Sequence, residues 1–242
     1  MWTSTAAVLA GALLAVCFLW GYELVAVPPA ARSLPPGRYQ PEDMPQTFRD
    51  IARHLTPTDV LKARHDEDLI TWAHEAHHFL NSNLSDARKR GFYLLDGTVW
   101  RLPIPKKTTL EMVAEAIPEE ARGAVYKTYL IDSRKDWNTI PLYLFDESLA
   151  YWSGAMVRQE IGRQDRQETE RFGVELLVYS YYATKLICEN EDEDYPKQEL
   201  LEFLDLCIAR ARLICPEFDS QPHAKQLMQL GRTLEVAANG EE

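Results

Sequence analysis

Residues 69–80 of this chain, "LITWAHEAHHFL", place Leu69, Trp72, Ala73, Ala76 and Leu80 at helical spacing. The spacing predicts a helix with one apolar face. His74 and His78 are four apart and project together from a neighbouring face. Any fold for this chain must bury the apolar stripe and give two imidazoles something to meet. Neighbouring segments read similarly. "TFRDIARHL" (47–55) and the run 59–84 are helical in pattern, with Thr58 or Asp59 as a cap and Asp66 able to start a separate helix.

Asp96–Gly97 separates two β-prone runs in "GFYLLDGTVWRLPIP" (91–105), which signals a hairpin. Residues 108–131 read as two helices broken at Pro118. Residues 139–162 read as a helix with Thr139 as cap and Pro141 in its first turn. An amphipathic helix with a large aromatic face covers 166–189, and an acidic loop follows at 189–195. Helices near 197–214 and 222–237 complete the chain. The expectation is a mainly α, α+β domain carrying one small hairpin, over residues 48–238.

Ahead of it, residues 6–20, "AAVLAGALLAVCFLW", are continuously apolar. That length suits a signal h-region, and extension to Val27 could span a bilayer. No Lys or Arg precedes it, Pro28 and Pro29 follow it, and "LAVC" has a valine too bulky for a lipoprotein signal. Residues 1–27 are therefore read as an uncleaved hydrophobic anchor with an extracytoplasmic domain, or as a signal from which a secreted protein is cut. The Pro-rich segment 28–47 is a tether. Cys188, Cys207 and Cys215 form no CxxC pair, so buried thiols are expected rather than zinc ligands, with one disulfide as the alternative outside the cytoplasm. The net charge of −11 offers phosphates no basic surface, which excludes nucleic acid as a partner.

His74-Glu75-Ala76-His77-His78 satisfies H-E-x-x-H on a helix. Two imidazoles one turn apart can bind one Zn²⁺, and the glutamate between them can act as base on a metal-held water. The alternative is a polar helix face, with Glu75 a solvated acid. His77 points elsewhere, towards second-shell or substrate contact, or neither. A catalytic site needs a third ligand. The extension with Gly and His that supplies it in metzincins fails, because Asn81 and Leu84 stand there. Glu147, in "LYLFDESLAYWSG", is the candidate, with Asp146 its rival about 100° around the helix. Tyr143 and Tyr151 flank Glu147 on its own face, and Ala150 permits close helix approach.

"HEAHH" with "DESLAY" about seventy residues later resembles the gluzincin group of zinc metallopeptidases. The resemblance implies that His74, His78 and Glu147 hold one Zn²⁺ and that Glu75 is the general base. Tyr143 or Tyr151 could donate a hydrogen bond to the oxyanion. The function expected is cleavage of peptide or protein substrates by a membrane-tethered peptidase. The alternative is a tethered, non-enzymatic binding or scaffold module with a degenerate or structural metal site. Oligomeric state is not legible in the sequence.

Overall fold

A computed structural model of the chain describes residues 44–227, apart from 64–67, 96, 165–167, 216, 222 and 226. The described part is mainly helical and carries one two-stranded antiparallel hairpin. The anchor and most of the tether expected over 1–47 lie outside the described residues, as does most of the helix expected over 222–237. Among the described residues no helix is long and apolar enough to cross a membrane.

Helices α1 (Gln46–Ala52), α2 (Pro57–Lys62) and α3 (Leu69–Leu84) open the order. The hairpin follows as β1 (Lys89–Tyr93) and β2 (Val99–Pro103). Then come α4 (Leu110–Ala116), a π-helical turn (Lys127–Asp132) and the short α5 (Arg134–Trp137). Three longer helices close it: α6 (Tyr143–Glu160), α7 (Glu168–Asn190) and α8 (Lys197–Ile214).

Helix starts differ from the expected caps. Thr56, not Thr58 or Asp59, caps α2 by accepting from Asp59 N, with Pro57 in the first position. Asp68 caps α3, accepting from Ile70 N at 3.2 Å and Thr71 N at 3.4 Å. Thr139 does not cap α6. Tight bonds in which Tyr143 N donates to Ile140 O and Phe145 N to Leu142 O, each three residues back, lead into that helix instead. Beyond Pro118 the expected second helix is a single 3₁₀ turn, Glu119–Ala121, followed after a break by the π turn. The hairpin register pairs Tyr93 with Val99, and Leu94 N donates to Thr98 O at 3.0 Å. Its connection is therefore five residues long, with positive φ at Leu95 and Gly97, rather than a two-residue turn.

Helix α6 packs against both α3 and α7. Its buried positions go round almost the whole helix, from Leu144, Phe145 and Leu149 to Trp152, Ala155 and Val157. A helix buried all round must be covered on more than one side. α3 covers one side and α7 another. Two apolar clusters result. One gathers Phe48, Ile51, Val60, Ile70 and Trp72 around the outer side of α3. The larger joins β1, α4, α6, α7 and α8 through Phe92, Leu110, Phe145, Tyr179 and Phe203. At Gly173 of α7 an added Cβ would lie 2.3 Å from Trp152 Nε1, so only glycine admits this α6–α7 approach.

Distant carboxylates fasten the loops. Glu160 accepts from Thr47 N and Oγ1 at the start of α1. Glu191, in the expected acidic loop, turns inward to accept from the backbone of Lys106, Lys107 and Thr108. Glu175 accepts from Ala124 N and Val125 N. Cys188, Cys207 and Cys215 are free thiols.

Candidate metal centre

The two halves of the site stand on the facing helices α3 and α6. On α3, Trp72, Ala73 and Ala76 are buried, which turns His74 and His78 toward α6. On α6, Ala150 is fully buried one turn after Glu147, a place where no larger side chain keeps the helices apart. His74 Nε2 and His78 Nε2 are 3.1 Å apart. Glu147 Oε2 lies 3.6 Å from the first and 3.5 Å from the second. A point about 2.0 Å from all three atoms exists within this triangle, the distance at which zinc binds imidazole nitrogen and carboxylate oxygen. Glu147 Oε2 is buried and has no hydrogen-bond partner. A buried carboxylate oxygen without a donor is costly unless a cation meets it. His74, His78 and Glu147 can hold a metal ion.

Asp146 does not compete for that point. Its Oδ2 lies 3.1 Å from His78 Nδ1, the nitrogen turned away from the triangle. Its Oδ1 accepts from Asn81 Nδ2 at 2.6 Å, and Arg90 Nη2 approaches Oδ2 at 3.4 Å. Asn81 Oδ1 in turn accepts from Tyr93 N at 2.8 Å. The carboxylate can only accept, so it keeps a His78 proton on Nδ1 and leaves Nε2 as the nitrogen a metal would take, as outer partners of metal-ligating histidines do. The adjacent acids Asp146 and Glu147 address opposite edges of one imidazole.

Electrostatics agree with a site built for positive charge. Burial opposes a charge on His78, but the Glu147 and Asp146 carboxylates outweigh it and hold the imidazole well above its ordinary value. Burial would raise Glu147. The His78 charge, with His74 beside it, holds it well below the usual carboxylate range. Asp146 is likewise lowered against its burial, chiefly by His78.

The remaining expected residues fall in distinct places. Glu75 is half-buried and makes no hydrogen bond or ion pair among the described residues. Its charge reaches the Tyr151 hydroxyl. Tyr151 packs edge-on against His74, with centroids 4.6 Å apart. Tyr143 is buried and lies flat on Trp137 at 4.6 Å. His77 is fully buried on another face, with Nδ1 2.6 Å from Ser153 Oγ. Burial holds its imidazole at about 3, so it stays neutral. It is a packing residue between α3 and α6.

Asp146 as an orienter, Asn81, Arg90 and Tyr129 do not emerge from the motif. The Asp-Glu pair was a usable signal for Asp146, because a histidine ligand has a second nitrogen to satisfy. Arg90 and Tyr129 carry no local signal; the hairpin and the π turn bring them in.

No protein-family model, curated protein or solved structure matches the chain.

Proposed function

We propose that this protein is a zinc-dependent hydrolase, and that it is a metallopeptidase of the gluzincin kind. The convergence of His74, His78 and Glu147 on one point, with a donorless carboxylate oxygen facing two imidazoles, carries the reading. The bound zinc supplies a Lewis acid that lowers the pKa of a water in its open position and polarises a carbonyl.

The chain's residues do the rest. His74 and His78 bind through Nε2, and Asp146 keeps the His78 proton on Nδ1. Glu75, free of competing partners, accepts a proton from the attacking water and returns it to the leaving amine. Tyr151, over the edge of His74, donates to the oxygen of the scissile carbonyl. The substrate class is a peptide or protein. Residues 1–27 tether the domain to a membrane on its extracytoplasmic side, or are removed to give a secreted enzyme.

The test is elemental analysis of the purified protein combined with peptide hydrolysis. One zinc per chain is expected, with turnover abolished by chelation. Glu75→Gln should lose turnover and keep its zinc. Absence of stoichiometric zinc overturns the proposal. Zinc bound without any peptide cleavage leaves a structural metal site on a binding module.

A further inference from the structure

Tyr129 was not singled out by any motif, yet its hydroxyl lies 2.8 Å from that of Tyr151. The ring centroids are 6.2 Å apart in an edge-to-face pair. Tyr129 rides on the π-helical turn, whose Ser133 N bonds back to Thr128 O at 3.1 Å. Such turns are rare and shift the side-chain register. The lead-in to this turn is held at several points. Ala124 N and Val125 N donate to the buried Glu175 carboxylate, and Gly123 N donates to Tyr179 Oη. Tyr126 Oη donates to Ala114 O at 2.9 Å. A three-point clamp on a short irregular segment fixes where Tyr129 points.

The neighbourhood of the pair is the metal centre. Tyr151 touches His74, and the charges of Glu147 and Glu75 both bear on it. Glu147 also bears on Tyr129. A phenol keeps its proton at neutral pH. Each phenol has one proton to give. If Tyr129 gives its proton to the Tyr151 oxygen, the Tyr151 proton is left free to point away from Tyr129.

We propose that Tyr129 is a positioning residue that aims the Tyr151 hydroxyl at the substrate carbonyl oxygen, the two phenols acting as one donor relay. This deepens the hydrolase reading and rests on it. Tyr143, flat against Trp137, takes no part in the relay.

The test uses the full-length zinc-loaded protein and the variants Tyr151→Phe, Tyr129→Phe and the double variant. Peptide turnover is measured beside calorimetric binding of a phosphonamidate peptide, which presents a tetrahedral oxyanion. Tyr151→Phe should lower kcat about 100-fold with KM little changed, as for loss of one oxyanion donor. Tyr129→Phe should lower kcat about 10-fold, and the double variant should match Tyr151→Phe alone. Phosphonamidate affinity should fall in the same order, with zinc content unchanged. Equal effects of Tyr129→Phe in both backgrounds, or none in either, overturn the inference. If the wild-type protein binds zinc but cleaves no peptide, the hydrolase reading fails separately. Phosphonamidate affinity that ignores both substitutions then overturns the relay as well.

Discussion

At the scale of single residues, the buried carboxylates Asp146, Glu175 and Glu191 are each given hydrogen-bond donors, and Glu147 Oε2 is not. Asp146 has Asn81, Arg90 and His78; Glu175 and Glu191 have backbone N–H groups. Glu147 Oε2 has no hydrogen-bond donor, and it faces the two imidazoles at 3.6 Å and 3.5 Å. Replacing Glu147 with Gln should therefore remove most metal affinity, because the neutral amide oxygen is a poor ligand. Asp146→Asn should weaken zinc binding about 10–100-fold without removing a ligand, a loss measurable by chelator competition. Unchanged affinity in Asp146→Asn would mean that His78 needs no orienter. His77 gives a different check. Its ring should show no NMR titration between pH 5 and 8, since burial keeps the neutral form. Because the unfolded chain protonates His77 near 6.5 and the folded one only at about 3, its contribution to stability is complete above pH 6.5. That contribution is lost as pH falls from 6.5 toward 3, at about 1.4 kcal/mol per pH unit. Urea unfolding of the metal-free protein at several pH values measures the slope.

At the scale of elements, the histidine helix was legible because an amphipathic stripe and an adjacent His pair share one period. The helices α7 and α8 were legible for the same reason. Their starting points were less so. Several residues near each start can accept an N–H bond, and the chain's entry angle chooses among them, as with Thr56 over Thr58 or Asp59. The π turn could not be read at all, because Glu175 and Tyr179, some fifty residues later, hold its lead-in. Glu175→Ala is accordingly expected to cost about 1–3 kcal/mol, by leaving the buried Val125 N–H without its acceptor and freeing that of Ala124. It should also disturb Tyr129 more than the metal ligands. Thermal melts and zinc content of this variant separate the two effects, and a loss of zinc equal to that of Glu147→Gln would contradict it. Gly173→Ala tests the α6–α7 contact. Its Cβ would overlap the Trp152 indole, and a cost of about 1–3 kcal/mol is expected in chemical denaturation.

At the scale of the whole molecule, a metal held by α3 and α6 would be a cross-link between segments about seventy residues apart. An ion that binds the folded chain alone raises stability with its free concentration, by about 2.7 kcal/mol at 100 times Kd. The melting temperature should thus rise with added zinc and fall with chelator, and His74→Ala should abolish the dependence. A zinc-independent melt in the wild-type protein would remove the cross-link. The sequence by itself determined the helical character, the hairpin, the His pair and the two adjacent acids able to complete it, because these follow from local periodicity and from the chemistry of side-chain types. Only the tertiary structure decided that Glu147 faces the imidazoles while Asp146 braces His78 from behind, and that Tyr129 rather than Tyr143 meets Tyr151. Those outcomes depend on the rotation of one packed helix against another and on loops fixed by remote carboxylates, neither of which any short stretch of chain encodes.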